Sequence, residues 1–251
     1  MISGAEKATA LRHRARPLTD LTTLGPTLVV APHPDDESLG CGGTISRLRQ
    51  LGLPVFVLFV SDGTMSHPNS RTYPAERLRN LREAEARAAL DVLGVAPDAC
   101  AFMRLRDTQV PQPGEPAFAP AAADLRILLA RVAPRTVLVP WLRDPHRDHR
   151  ASRHLLAEAC RLLPAQVQPR VLEYLIWLWE LGGPDDMPRP DERRVWQVPI
   201  AEVMAQRNRA IAAHRSQVTR LIDDDPTAFY LSPELLTHFD DPYELFLEAL
   251  A

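Results

Sequence analysis

One imidazole and three carboxylates stand in a single short run, Pro32-His33-Pro34-Asp35-Asp36-Glu37. Adjacent acids repel one another unless a cation or water neutralises them, and burial sharpens that cost. With His33 two residues before the first acid, a metal ion is the natural candidate. A second run, Arg143-Asp144-Pro145-His146-Arg147-Asp148-His149, places two histidines three residues apart. At the start of a helix that spacing lets both rings face one cavity. Two histidines, one carboxylate and a water make a common open catalytic zinc site. Zinc in such a site lowers the pKa of its water toward about 7 and polarises a carbonyl. A neighbouring carboxylate can take the water's proton.

Simpler accounts cover only part of this pattern. The dipole of a following helix favours one acid in its first turn, not three beside a histidine. The glycines between Gly40 and Gly43 could cradle a phosphate at a helix start. Their spacing matches neither common phosphate loop, and the neighbouring acids would repel the anion. His13, His154, His214 and His238 occur singly and read as inert surface residues. His67 lies in a loop at the same rim and is a candidate for touching substrate.

Positioning these clusters requires regular elements. Apolar β-type runs are expected at 27–31, 55–60, 100–105, 136–141, 171–179 and 194–198. Helical patterns are expected at 43–51, 75–93, 121–132, 149–163 and 201–214, with short C-terminal helices at 233–236 and 243–250. Continuous apolar strands alternating with helices predict an α/β fold, a mainly parallel sheet covered on both faces. Ligands bind such sheets where loops leave the carboxyl ends of strands. The polar clusters at 33–37, 62–67, 106–109 and 143–149 all fall there.

The chain has 251 residues, 45% of them apolar, enough for one large domain. Residues 1–25 read as a loose polar lead-in. Residues 26–251 read as a single α/β domain, with about 181–251 as a C-terminal extension packed on it. Net charge is −3 with both signs interspersed, so nucleic acid and anionic membrane are not expected partners. Three widely spaced cysteines, Cys41, Cys100 and Cys160, suggest free thiols rather than a disulfide framework. No stretch has the roughly 18 apolar residues of a spanning helix, and no secretory leader is evident, so a cytoplasmic location is expected. A homo-oligomer is left open.

The segments Ala31-Pro32-His33-Pro34-Asp35-Asp36-Glu37 and His146-Arg147-Asp148-His149 resemble the two motifs of the PIG-L/LmbE-like zinc-dependent deacetylases. That family removes acetyl from N-acetylglucosaminyl groups. The similarity runs from about residue 27 to about 180 and takes in Ser61-Asp62-Gly63, Arg82-Glu83-Ala84-Glu85 and Leu93-Gly94-Val95. It implies a Rossmann-like sheet and an N-acetylated amino-sugar substrate. Residue by residue, it implies Zn²⁺ on His33, Asp36 and His149, with Asp35 as general base. It implies that His146, oriented by Asp148, stabilises the oxyanion or donates a proton. Arg82 and Asp107 match substrate-binding positions. Arg147 stands where many members carry Pro, which changes charge at the rim. The same donor set also takes Fe²⁺.

Other functions stay open on sequence alone. A zinc amidohydrolase could act on another N-acylated small molecule. A non-catalytic zinc or sugar-binding module could keep the ligands without turnover. Asp35, a carboxylate beyond ligand needs, favours turnover. A nucleotide-binding α/β protein rests on fold alone. Ala213-His214-Arg215-Ser216-Gln217 suits a helix end, and Asp223-Asp224-Asp225-Pro226 suits a loop. Either could instead fold over the rim and contribute to substrate selection. Trp177 and Trp179, ending the fifth strand, could stack on a sugar or pack in the core.

Overall fold

A computed structural model describes residues 3–250. Its strands are β1 (Arg16–Pro17), β2 (Thr27–Ala31), β3 (Val55–Ser61), β4 (Cys100–Leu105), β5 (Thr136–Pro140), β6 (Arg170–Tyr174), β7 (Arg193–Pro199) and β8 (Tyr243–Ala249). The helices are α1 (Gly4–His13), α2 (Asp36–Gln50), α3 (Ala75–Val92), α4 (Phe118–Val132), α5 (Arg147–Arg161), α6 (Leu178–Leu181), α7 (Met204–Ala213), α8 (Arg215–Val218) and α9 (Pro233–Leu236).

The strands form one eight-stranded sheet in the order β1-β7-β8-β6-β5-β2-β3-β4. The pairs from β6 to β4 across β5, β2 and β3 are all parallel, and β8 runs antiparallel to both β6 and β7. All five residues of β2 are buried. Side chains alternate between sheet faces along a strand. Val29 and Ala31 accordingly join the core under α2 and α3, whereas Leu28 and Val30 join the core under α4 and α5. This two-sided burial is why β2 reads as a continuous apolar run.

From β2 the chain builds outward through β3 to β4 on one side. On the other it returns at β5 and continues to β6. The carboxyl ends of β2 and β5 therefore flank a topological switch point, the usual crevice for a ligand in an open α/β sheet. The 33–36 and 146–149 runs follow those two strands directly.

Four elements differ from the sequence expectation. Residues 1–25 are not a loose lead-in throughout: α1 starts with a capping box between Ser3 and Glu6 and buries Leu11. Residues 243–250 are not a helix. Their apolar spacing suits either structure, but β8 pairs with β7 over seven residues and decides the matter. The strand expected over 171–179 is β6, which ends at Tyr174, so Trp177 and Trp179 lie beyond it, at the start of α6 and within it. Finally, Gly40 and Gly43 form no loop. They lie inside α2, where a Cβ on Gly40 would collide with the Tyr174 ring.

Candidate metal centre and active site

His33 leaves the end of β2 on a turn closed by Asp36, whose Oδ2 accepts the His33 backbone N–H at 2.9 Å. The same oxygen stands 3.3 Å from His33 Nδ1 and 3.3 Å from His149 Nε2. Donors about 2.0–2.1 Å from one tetrahedral zinc stand about 3.3–3.4 Å apart. The second nitrogen of each ring faces a carboxylate: His33 Nε2 lies 3.3 Å from Asp148, and His149 Nδ1 lies 3.4 Å from Asp144. Metal-binding histidines almost always have such an outer partner. His149 is fully buried, yet neither ring nitrogen has a hydrogen-bond partner among the described residues, each facing a carboxylate oxygen at 3.3–3.4 Å. A buried ring nitrogen aimed at a carboxylate oxygen without a hydrogen bond fits a shared cation.

The local field has the same sign. Burial alone would lower both imidazoles, but Asp107, Asp148 and Asp36 hold His33 well above its usual range. Asp36 and Asp144 likewise outweigh burial at His149, raising it to about 9. Ligand atoms of His33, His146 and His149 lie within 4.8 Å of one another, as do those of His33, Asp107 and Asp148.

Asp35 flanks this centre. Burial raises its carboxyl to about 7, against the pull of the Arg82 guanidinium at 3.2 Å. Arg82 also donates to the carbonyls of Gly63 and Pro34. Gly63 has φ +64, and a Cβ there would come within 2.7 Å of Arg82 Nη1. Glycine is thus required where β3 hands the chain to the rim.

His146 lies across the centre, its ring 4.8 Å from that of His33. Burial and the two neighbouring imidazoles lower it to about 4. Its Nδ1 accepts the Asp148 backbone N–H at 3.2 Å. The expected side-chain contact from Asp148 to His146 is absent. The Asp148 carboxylate faces His33 and accepts the Thr108 and Val110 backbone N–H groups. Asp107 sits 3.1 Å from His33 Nε2 and accepts the Met65 N–H.

A cleft of about 130 Å³ opens over these groups, lined by Asp35, Arg82, Asp107, His146, Trp177 and Phe229. Phe229 meets Trp177 edge-on, with ring centres 5.5 Å apart. It belongs to the 219–232 segment, whose Asp224 accepts from Ser70 Oγ and from the N–H groups of Arg71 and Thr72.

The family described as PIG-L, GlcNAc-PI de-N-acetylase, matches residues 28–160. The chain belongs to the PIG-L family. A 1D-myo-inositol 2-acetamido-2-deoxy-alpha-D-glucopyranoside deacetylase from Segniliparus rotundus is 30% identical over 84% of this chain and 82% of its own. A diacetylchitobiose deacetylase from Thermococcus kodakarensis is 28% identical over 76% of this chain and 69% of its own. In fold, the chain is similar to an N,N'-diacetylchitobiose deacetylase from Pyrococcus horikoshii, with a TM-score of 0.68 and 23% identity over 92% of this chain and 87% of that one.

Within this PIG-L chain the eight expected site residues converge on one rim, but three neighbours behave differently from expectation. His214 is no surface residue. It is 1% exposed, and its Nε2 lies 2.9 Å from Glu37 Oε1. Burial disfavours its charge, yet the Glu37 carboxylate raises it above its usual value. Glu37 itself is therefore engaged by His214, Ser38 Oγ and the Asp35 N–H. His67 points at Ser66 Oγ, and Ser66, not His67, lines the cleft. Arg147 adds no free charge to the rim, because Glu115 and the carbonyls of Thr108 and Val110 engage it. Asp144 stands inside the second cluster, but nothing in the sequence sets it apart from an ordinary loop acid. Its carboxylate also accepts the N–H groups of His146 and Trp177.

Proposed function

We propose that this chain is a metal-dependent hydrolase that removes acetyl from an N-acetylglucosamine-type substrate. His33, Asp36 and His149 would hold the divalent ion, Zn²⁺ in the first instance. The observation that carries this is Asp35: a buried carboxylate beside the donor set, not needed as a ligand and raised to about 7. A divalent ion held there would acidify a water and polarise an acyl carbonyl.

Asp35 takes the proton of the attacking water as general base. The Asp148 N–H on His146 Nδ1 supports an Nε2–H tautomer, since an imidazole nitrogen that accepts carries no proton. Neutral His146 can then donate through Nε2 to the oxyanion as the acyl carbon becomes tetrahedral. Because His146 is lowered to about 4, it is a poor source of the proton that the leaving amine needs. Asp35, having taken a proton, is the better source. Arg82 lies against Asp35 and keeps its carboxylate turned to the cleft. Asp107 can accept a sugar hydroxyl with its remaining lone pairs. The aromatic pair Trp177 and Phe229 offers an apolar wall on which a sugar face can stack.

The test is release of free amine from N-acetylglucosamine and N,N'-diacetylchitobiose. Amine should appear with the metal-loaded chain, stop on chelation and return with added Zn²⁺. Turnover that persists in chelator-treated, metal-free protein would refute the assignment.

A further inference from the structure

The Glu37 and His214 pair has no part in the mechanism above, yet both side chains are buried, at 0% and 1% exposure. Glu37 accepts three donors. Oε2 takes the backbone N–H of Asp35 at 2.9 Å, and Oε1 takes Ser38 Oγ at 2.6 Å and faces His214 Nε2 at 2.9 Å. His214 Nδ1 has no partner among the described residues, so the ring's strong polar contact is with Glu37. Asp35 itself has φ 137 and ψ −30, a conformation that a non-glycine residue rarely adopts. Such a backbone persists only where its surroundings over-determine it. Here its carboxylate is held by Arg82 and its N–H by Glu37.

We propose that His214 is a positioning residue: through Glu37 it fixes the backbone of Asp35 and so aims the general base. A buried carboxylate without a charged or donor partner would be desolvated at high cost and would turn or take a proton. Without His214, Glu37 loses a main partner and with it a firm hold on the Asp35 N–H. The arrangement joins the C-terminal part of the chain to the site from behind. His214 caps α7, and two residues later Ser216 donates to the buried carboxylate of Glu85 on α3. Gln217 then reaches Ser66 at the cleft.

The inference rests on Asp35 being the base, so the experiment separates the two. In the metal-loaded wild-type chain, NMR should find the Asp35 amide proton shifted downfield and slow to exchange. In His214→Phe that amide should exchange faster, with metal content unchanged. In His214→Gln, whose side-chain amide can donate to Glu37 from the same place, protection should return. In amine release, His214→Phe should lower kcat by roughly 10–100-fold, the scale of a displaced catalytic group. KM should change little, and His214→Gln should recover most of the loss. An Asp35 amide that exchanges freely in wild type, or is equally protected in wild type and His214→Phe, overturns the positioning role whatever the assay reads. Full activity in Asp35→Asn instead overturns the base assignment, while the amide measurement still decides whether His214 holds that backbone.

Discussion

Asp35 and Asp36 are neighbours with opposite proposed duties, and their surroundings set them apart. Asp36 lies between two imidazoles, which hold its carboxyl far below the usual range despite burial. Asp35 faces one guanidinium and is raised by burial and by Asp36 itself. A pair of acids driven apart in this way supplies one permanent anion for a cation and one group able to exchange a proton. Asp35→Asn keeps the shape and removes the proton acceptor. It should retain the metal, as elemental analysis would show, and lose roughly 10²–10⁴-fold in kcat in the amine-release assay. Loss of metal along with activity would mean that Asp35 belongs to the ligand set instead.

At the scale of elements, the rim is made by strands whose burial on both faces was plain in sequence, and by turns whose residues had to be polar. Apolar runs that stop abruptly at polar clusters are enough to put 33–37 and 143–149 at strand ends. Pairings between distant segments were not legible. Tyr243–Ala249 carries apolar residues at spacings that suit a helix, and only its partner β7 makes it a strand. His214 is one residue past a helix, where a surface histidine would also stand; only Glu37 across the fold gives it a role. The 219–232 segment is a third case. Asp224 and Asp225 resemble loop acids, but they accept from residues 69–72, while the Phe229 N–H of the same segment donates to the Ser66 carbonyl at the cleft. These hydrogen bonds hold both carboxyls below their usual range, Asp224 led by Ser70, and Asp225 by Asn69 against the opposing effect of burial. A lowered folded-state value contributes stability above the unfolded carboxyl pKa of about 3.9, which fades as pH falls through the folded value. Limited proteolysis of this segment should therefore be equally slow at pH 7 and pH 5. Asp224→Ala should open it to cleavage at pH 7 and raise KM several-fold with a smaller change in kcat, the mark of lost substrate contact rather than lost chemistry. Cleavage and KM unchanged from wild type would show that the segment is held by other means.

At the scale of the whole molecule, the proposed ion joins two parts of the chain that meet only in the folded state. His33 and Asp36 belong to the turn after β2, and His149 to the first turn of α5 after β5. Each turn leans on a different core, α2 packing on one face of the sheet and α5 on the other. A cation bound by all three side chains binds the native state alone and stabilises it by mass action. At a concentration one hundred times its dissociation constant, the gain is about 2.7 kcal/mol. For a domain of this size each kcal/mol moves the midpoint by about 2–4 °C, so Tm should rise by roughly 5–11 °C when Zn²⁺ is restored to chelated protein. His149→Ala should abolish that rise. Removing the ring also removes a buried side chain between Asp36 and Asp144, so its metal-free Tm is expected to fall as well. The decisive quantity is therefore the difference between loaded and metal-free Tm within each variant, measured by calorimetry. His154→Ala, a change on the same helix outside the donor set, should keep the full wild-type difference. A rise that survives in His149→Ala would place the stabilising ion elsewhere in the chain.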